Sequence, residues 1–526
     1  MPRVHQHGAL CPFKRGLIVG LVSLGLAACT AESPGEQVHI VIADDAPFHV
    51  HAMERSFVVT VQANAKAKPV LHYHWQDFTG KALSEDAPLR ADDTTREITS
   101  PSGKAGYYGL VFTAPADIAL PDRRPGEARE YGFVVLPPPL KNERAGSRFG
   151  VVHANPADPY IPPWVKTATW ETVSPGDWRG LIQSGRQQGK VELPIIIGNA
   201  WASDDAHPVS QEQLDELEKR AKAYFAADPD VDYWEAGIEE NLDENYAQKF
   251  YWDNLHKKMR HLHAAAQDTN KNIKFIYQIA STETEDIKKF LQSSAVDDVD
   301  ILSVHPYAWP NFHSPDLWLD DLLQKIKQLK IKRHASLPLW FTEVGAPHFG
   351  NVPGGFFGYP EENKPTGGLS RQDAAAYNVK MCVIALYNGV EKIFWYNYRD
   401  EKPDRDQAEA HFGLRDYWGY PKPVYAAYYN VTQNLQGTKA AAFRVLRSGV
   451  RLYEFGGEQQ RVFVLWAPPG QQAKVSLAEI KKDLPETQSI QATDTVGHPL
   501  ASANGVFQID DKPVFIKTVV GRRSQD

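Results

Sequence analysis

The hydrophobic residues of this chain follow three successive patterns. Between residues 38 and 140, short β-rich runs alternate with glycine, proline and polar breaks, which is typical of a β-sandwich of about a hundred residues. Between 147 and 437, nearly continuous apolar runs alternate with longer amphipathic segments. From 438 to 526 the hydrophobic period returns to two, which predicts a small antiparallel β domain.

The middle region contains eight apolar runs, which predict strands buried on both faces. They occupy residues 148–154, 164–170, 193–200, 232–238, 273–280, 300–307, 337–345 and 391–398. Two of the amphipathic segments between them begin with capping-box patterns, at Ser210 and Ser370. Eight strands alternating with helices over this length predict a (β/α)8 barrel. The Pro-rich segment 155–163 has no room for a helix, so either the first crossover is degenerate or strand one is misplaced.

The predicted fold class is therefore α/β, a TIM barrel flanked by an N-terminal β-sandwich and a small C-terminal antiparallel β domain. The formal net charge is −8 and no Lys/Arg cluster forms a stripe, which argues against nucleic acid as a partner. Thirteen tryptophans favour stacking on planar or sugar-like ligands. The pair His72 and His74 lacks a third ligand nearby, so we expect no metal and no organic cofactor. Nothing in the sequence indicates an oligomeric state.

The N-terminus has the pattern of a targeting segment. Lys14 and Arg15 precede an apolar run at 16–28 that is too short for a comfortable membrane span. The sequence Leu-Ala-Ala-Cys ending at Cys29 resembles the bacterial lipobox. We therefore expect a lipoprotein signal peptide at 1–28, a lipidated (palmitoylated) Cys29 and a tether at 29–37.

The residue after the lipobox cysteine bears on the location. An Asp there would resemble an inner-membrane retention signal, whereas this chain has Thr30, so we expect an outer-membrane anchor on the periplasmic or cell-surface side. The alternative is a plain secretory signal with a chance cysteine. Only Cys382 remains once the leader and the acylated residue are set aside, which excludes a disulfide framework.

Candidate chemistry lies at the C-terminal ends of the predicted barrel strands, where such barrels place their functional residues. Glu239 follows strand four, and Glu343 ends strand seven. Two carboxylates on one rim are what glycoside cleavage requires, one as a protonated acid and the other as an ionised nucleophile. Strand six ends at His305 and Tyr307. Further candidates for contact with a sugar are Trp170, Asn199, Trp201, Asn241 and Trp395.

Two motifs resemble those of clan A glycoside hydrolases, most closely family 39. Residues 234–241, Trp-Glu-Ala-Gly-Ile-Glu-Glu-Asn, resemble the strand-four pattern Trp-Glu-x-x-Asn-Glu-Pro-Asn, and 340–345 resemble an aromatic strand ending in Thr-Glu-x-Gly. The resemblance implies that Glu239 is the acid/base and Glu343 the nucleophile. It also implies that His305 and Tyr307 approach the nucleophile, and that Trp395 forms a platform under the bound sugar.

The chain departs from the family pattern at the acid/base. The family has an Asn just before it, whose amide meets the sugar 2-hydroxyl, and this chain has Ile238. Either Asn241 or Asn199 supplies that contact, or the substrate lacks a free 2-hydroxyl, or activity is reduced. Glu240 replaces the usual Pro, and we expect its like charge to raise the pKa of Glu239.

The sequence thus predicts a retaining glycosidase that cleaves an extracytoplasmic poly- or oligosaccharide, with Lys166 where the family has an Arg. Its partners are a carbohydrate substrate and, through Cys29, a membrane. The rival hypothesis is a non-catalytic carbohydrate-binding lipoprotein on a degenerate glycosidase barrel, which Ile238 favours. A third, a structural outer-membrane assembly protein, predicts no glycan binding.

Overall fold

The computed structural model describes most of the chain between residues 36 and 520. The described ranges are 36–139, 146–166, 169, 174–197, 201, 205–308, 312–331, 334–349, 368–403, 408–457, 460–480 and 487–520. The predicted leader, Cys29, Trp170 and Asn199 lie outside these ranges. Within them, no helix is both long enough and apolar enough to cross a membrane.

The N-terminal region is a β-sandwich, as predicted. One sheet has the strand order β1-β3-β6, and the other has the order β2-β8-β7-β4-β5. Their facing residues form a separate apolar core that includes Trp75, Leu110 and Phe133. The strands are β1 His39–Ala43, β2 Val50–Ala52, β3 Val58–Asn64, β4 Val70–Gln76, β5 Ala87–Arg90, β6 Asp92–Thr99, β7 Gly106–Thr113 and β8 Arg129–Leu136.

The middle region is the predicted barrel. Its parallel sheet runs in the order β11-β10-β9-β17-β16-β15-β14-β13-β12, and a bridge between Thr169 and Ile195 joins strands two and three. The strands are β9 Phe149–Val152, β10 Trp164–Lys166, β11 Val191–Glu192, β12 Ile195–Ile196, β13 Tyr233–Ala236, β14 Lys274–Ala280, β15 Ile301–His305, β16 Leu339–Val344 and β17 Lys392–Trp395. β9 and β10 are joined without a helix, so the first crossover is the degenerate one.

Helices cover the outside of the barrel. Ser210 and Gln213 form a reciprocal capping box at the start of α2, and Ser370 accepts from the Asp373 amide at the start of α6, as the sequence predicts. Trp178 of α1 stacks on Trp234 of β13 with ring centroids 5.3 Å apart. The helices are α1 Pro175–Gln187, α2 Gln211–Ala227, α3 Tyr251–Gln267, α4 Glu285–Gln292, α5 Leu319–Ile331, α6 Arg371–Tyr387 and α7 Pro423–Leu435.

The C-terminal region is antiparallel, as predicted. Five strands pair in the order β18-β19-β20-β24-β22, and β21 pairs with β23. Its own apolar core includes Leu452, Phe463 and Ile516. The elements are β18 Lys439–Val445, β19 Arg451–Gly456, β20 Gln460–Trp466, β21 Ala473–Ser476, α8 Leu477–Ile480, β22 Thr487–Thr493, β23 Val506–Ile509 and β24 Val514–Val520.

Strand alternation decides which barrel side chains reach the interior. Along β17, Phe394 belongs to the cluster that fills the barrel, whereas its neighbours Ile393 and Trp395 belong to the layer between sheet and helices. Trp164 and Trp340 fill the interior in the same way. These aromatic rings therefore pack together inside the barrel, with the Lys392 ammonium 4.5 Å from the centre of the Trp164 ring, and the residues of the predicted site lie at the C-terminal mouth.

Buried ion pairs join the sandwich to the barrel. Arg129 of β8 donates to Asp416 at 3.0 Å, and both side chains are almost fully buried. Asp416 also accepts the backbone amides of Trp418 and Tyr420, at 3.0 and 2.9 Å. One carboxylate thus fixes the segment after β17 and anchors the sandwich beside it.

Replacing Asp416 with Ala leaves the Arg129 guanidinium buried without its main partner. We expect the free energy of unfolding to fall by about 3–5 kcal/mol, the usual cost of breaking a buried pair from one side. Guanidinium unfolding followed by tryptophan fluorescence measures this. The exposed Asp117→Ala is the control, which we expect to change stability by less than about 0.5 kcal/mol; equal effects would contradict this role of Asp416.

Candidate active site

A β-bulge turns Glu343 into the barrel mouth. Phe341 pairs with Ile393 and Val344 with Trp395, so β16 has one extra residue between the two pairs. Phe341 and Val344 both pack in the layer beneath the helices. The two residues between them, Thr342 and Glu343, therefore both face inward, and this is the re-aiming that bulges produce beside functional sites.

A turn with left-handed backbone geometry presents Glu239. β13 ends at Ala236; Gly237 follows with φ +77°, and Glu239 has φ 46° and ψ 38°. A Cβ on Gly237 would lie 2.9 Å from the carboxyl carbon of Glu240 and 3.1 Å from Nε1 of Trp201, so only glycine fits. The left-handed region is unfavourable for glutamate, so the surrounding contacts hold Glu239 in place.

The two predicted catalytic carboxylates meet at the mouth. Glu239, His305 and Glu343 each present one atom, and these three atoms lie within 4.8 Å of one another. The His305 Nδ1 is 2.8 Å from Oε1 of Glu239 and 3.9 Å from Oε2 of Glu343. The hydroxyl of Tyr307 donates to Oε2 of Glu343 at 3.4 Å. Two distant motifs thus form one site.

A buried lysine neutralises two carboxylates below this site. The Lys166 Nζ lies 2.5 Å from Oε2 of Glu235 and 2.9 Å from Oε1 of Glu343, and the Lys166 and Glu235 side chains have no exposed surface. Burial raises the pKa of Glu235, but Lys166 and His305 outweigh it and hold that pKa at about 2. Glu235 was not among the predicted site residues. The signal that could have identified it is its position, because it is an acid inside an otherwise apolar strand.

His305 is held as a cation. Burial lowers its pKa, but Glu343, Glu235 and Glu239 raise it to about 9. Its Nε2 donates to Oγ1 of Thr342 at 2.8 Å, and that hydroxyl in turn donates to Glu235. Near neutral pH both ring nitrogens therefore carry protons, and the Nδ1 proton lies in the hydrogen bond to Glu239.

The pKa of Glu239 is shifted opposite to the prediction. Burial raises it, but the hydrogen bond and charge of His305, together with Lys166, bring the net pKa below its usual value. We expected the like charge of Glu240 to raise it. The Glu240 carboxylate instead faces Trp201 and Tyr251, whose side chains donate to it at 2.5 and 2.8 Å.

Trp395 does not form a sugar platform in this structure. Its ring has no exposed surface, lies against Tyr428 and donates from Nε1 to the carbonyl of Phe412 at 3.3 Å. The reason is strand alternation, because Trp395 points to the helices and its neighbour Tyr396 points inward. Tyr396 is half-buried, and its ring lies 6.4 Å from that of Tyr307 at the barrel mouth.

Two other predicted sugar contacts also have structural partners. Trp201 is 3% exposed and donates to Glu240. The Asn241 side chain donates to the Ala280 carbonyl at 2.8 Å and accepts the Ala280 amide at 2.9 Å, which uses both ends of its amide. Trp201 is therefore buried away from a substrate, whereas Asn241 is half-buried and keeps its second amide hydrogen; both side chains help to fix the turn that carries Glu239. Trp170 and Asn199 lie outside the described residues.

One residue at the site was missed. His153 follows β9 at the same rim, has φ 53° and an exposed side chain, and its ring lies 6.0 Å from that of Tyr396. The rule that selected Glu239, a polar residue just after a barrel strand, also identifies His153.

The arrangement of charges does not favour a metal ion at the mouth. Glu239, His305 and Glu343 offer three ligand atoms at suitable spacing. The Lys166 ammonium already binds Glu343, however, and a protonated His305 has no lone pair to donate. On the sandwich, the Nδ1 atoms of His72 and His74 lie 2.9 and 3.6 Å from the Asp86 carboxylate.

Comparison with solved structures places this fold among known ones. A family 39 glycoside hydrolase from the gut symbiont Bacteroides cellulosilyticus WH2 is 19% identical, with 90% of this chain and 99% of that chain covered and a TM-score of 0.64. A glucosidase from Croceicoccus marinus (12% identity, 73% and 98% covered, TM-score 0.48) and a GH30 endoxylanase from Clostridium papyrosolvens C71 (12%, 72% and 98%, 0.46) are more distant.

No family model matches the chain, and no curated protein matches it. At 19% identity, the likeness to the family 39 glycoside hydrolase shows the fold alone. The glucosidase and the endoxylanase are too distant to add to this conclusion. The protein therefore has the fold seen in a family 39 glycoside hydrolase, with the predicted barrel and both flanking β domains.

The charge of His305 generates a prediction about pH. Its pKa in the folded protein, about 9, lies above its ordinary value of 6.5, so its contribution to stability is complete below pH 6.5 and is lost as pH rises through about 9. NMR of ¹⁵N-labelled histidine should show one imidazole titrating near pH 9. Glu343→Gln should lower that midpoint, because it removes the largest charge that raises it. The exposed Glu283→Gln should not, and an unshifted midpoint in Glu343→Gln would contradict the assignment.

Proposed function

We propose that the protein is a retaining glycoside hydrolase that cleaves O-glycosidic bonds in an extracytoplasmic poly- or oligosaccharide by double displacement. The observation that supports this most is the approach of Glu239 and Glu343 across the barrel mouth, within 4.8 Å between the nearest ligand atoms. Retaining enzymes have carboxyl groups about 5–5.5 Å apart, and inverting ones about 6.5–9.5 Å, which leaves room for a water. The spacing favours retention.

In the first step Glu343 attacks the anomeric carbon. Lys166 donates to one oxygen of this carboxylate at 2.9 Å, and Tyr307 donates to the other at 3.4 Å. The bond from the anomeric carbon to the leaving oxygen breaks as an ester bond to Glu343 forms, and Glu239 gives a proton to the leaving oxygen. The proton comes from the hydrogen bond that Glu239 shares with His305.

Loss of that proton is coupled to the chemistry at Glu343. Esterification removes the negative charge of Glu343, which is the largest of the charges that raise the pKa of His305. A neutral imidazole is therefore favoured in the intermediate, and Glu239 stays ionised as the base. In the second step Glu239 takes a proton from water, the hydroxyl attacks the anomeric carbon, the ester bond breaks, and the Glu239–His305 pair regains its proton.

The site limits which residues can contact the sugar 2-hydroxyl. Ile238 is 41% exposed beside Glu239 and has no group that can hydrogen-bond, and the Asn241 amide already bonds the Ala280 backbone through one hydrogen and its oxygen. Contact with a sugar 2-hydroxyl therefore falls to Asn199 or to the second amide hydrogen of Asn241, or the substrate has no free hydroxyl there, or turnover is slow. On the lipobox resemblance we also propose that Cys29 anchors the protein at the outer membrane.

The second candidate is a non-catalytic carbohydrate-binding lipoprotein. Two observations favour it, the apolar Ile238 beside the site and the lowered pKa of Glu239, since a general acid is expected to have a raised one. The two candidates differ in one measurable property, which is turnover of a bound glycan.

Substitution of the catalytic pair separates these candidates. The protein without its lipid anchor is screened against extracellular polysaccharides, and released sugars are quantified. We expect Glu343→Gln to abolish turnover while glycan binding persists, and Glu239→Gln to lower kcat by about 10²–10⁴-fold. Glu283→Gln, an exposed glutamate after β14, is the matched control. Glycan binding by the wild type with no turnover on any bound polymer would support the second candidate.

The stereochemical outcome is a separate test. With an active substrate in hand, ¹H NMR of the first-formed product follows its anomeric proton before mutarotation. We expect the product to keep the configuration of the substrate, because the gap between Glu239 and Glu343 is too small for an intervening water. An inverted first product would contradict double displacement.

A further inference from the structure

Glu240, the residue after the predicted acid/base Glu239, forms hydrogen bonds with two separate parts of the barrel. Oε1 of Glu240 accepts the indole N–H of Trp201 at 2.5 Å, and Oε2 accepts the hydroxyl of Tyr251 at 2.8 Å. The Tyr251 hydroxyl also lies 2.7 Å from that of Tyr277 on β14. The ammonium of Lys258 lies 4.8 Å from the centre of the Trp201 ring. The carboxylate thus connects the acid/base turn to α3 and to the segment after β12.

This carboxylate is half-buried. Burial raises the pKa of Glu240, and the charge of Lys258 with the donors Tyr251 and Trp201 offsets part of that rise. Each oxygen has its own donor, so the group is satisfied in one orientation only. Gly237 is required by the same contacts, because a side chain there would collide with Glu240 and Trp201.

Backbone hydrogen bonds shape the turn itself, and one of them runs from the Gly237 amide to the Ile196 carbonyl at 2.9 Å. Leu242 donates to the Glu239 carbonyl at 2.9 Å and Asp243 to that of Glu240 at 3.0 Å, which closes a short 3₁₀ helix at Glu240–Leu242. Asn241 fastens one side of this helix to Ala280. Glu240 fastens the other side. Between these two attachments Glu239 is kept in its left-handed conformation.

We propose that Glu240 is a positioning residue, whose carboxylate fastens the acid/base turn so that the Glu239 carboxyl stays within reach of the leaving oxygen. This inference rests on the proposed function. Glu240 does not touch the reacting atoms, because both its oxygens face Trp201 and Tyr251. It acts through the backbone of the residue before it.

The proposal predicts a dependence on the leaving group. Departure of a sugar alcohol needs the proton from Glu239, whereas departure of dinitrophenolate does not. We expect Glu240→Ala to lower kcat/KM for a sugar leaving group by about 10- to 100-fold, the cost of misplacing a catalytic group by roughly 1 Å. We expect kcat/KM for the matching dinitrophenyl glycoside to fall less than about threefold, since kcat/KM reports the first step alone.

A second variant and a control make the test independent of folding. Tyr251→Phe removes the hydroxyl donor but keeps the ring, and we expect a smaller loss with the same leaving-group dependence. Asp243→Ala removes an exposed carboxylate from the same turn, and we expect neither substrate to be affected. Rates are referred to active sites titrated by the dinitrophenolate burst.

The outcomes distinguish failure of the positioning role of Glu240 from failure of the proposed glycosidase function. If the wild type hydrolyses neither substrate, the proposed glycosidase function fails before any variant is compared. If the wild type is active and Glu240→Ala and Tyr251→Phe lower kcat/KM equally for both leaving groups, or for neither, the positioning role is overturned and the function stands. A selective loss on the sugar leaving group in both variants supports the proposal.

Discussion

The balance of buried charge at the barrel mouth is the constraint on which the rest of the structure depends. Glu235, Glu239 and Glu343 enter this space, and two cations, Lys166 and His305, face them. Leaving one such charge without its partner costs about 3–5 kcal/mol, so the strands that supply these residues can pair in only one register. In this arrangement Lys166 pairs with Glu343, the predicted nucleophile, and His305 holds a proton beside Glu239, the predicted acid/base.

A bulge in β16 and a left-handed turn after β13 bring these charged side chains together at the barrel mouth. The extra residue in β16 turns Thr342 and Glu343 to the same face, and the turn after β13 places Glu239 above them. Helix α3 and the segment after β12 support that turn through Glu240. The sandwich reinforces the opposite side, because Arg129 and Asp416 fix the segment after β17.

The order of elements could be predicted because it is encoded by local pattern. Buried strands, capping residues and the rule that function lies at strand ends were enough to find the barrel, Glu239 and Glu343. Trp395 was assigned to the wrong face because another aromatic residue, Tyr396, follows it directly. Hydrophobicity alone does not show which of two adjacent aromatic residues points inward. Trp201 and Glu240 were misjudged because they bond each other across 39 positions of sequence, and Glu240 also bonds Tyr251 of α3.

Double displacement requires that Glu343 becomes covalently bound to the sugar. Mass spectrometry tests this most directly, after incubation with a 2-deoxy-2-fluoro dinitrophenyl glycoside of the sugar that the wild type cleaves, because the fluorine slows both formation and hydrolysis of the ester whereas the activated leaving group speeds its formation, so that the ester accumulates. We predict a mass gain of one glycosyl unit, located by peptide mapping on Glu343. A label on another residue, or hydrolysis with no covalent adduct, would contradict it.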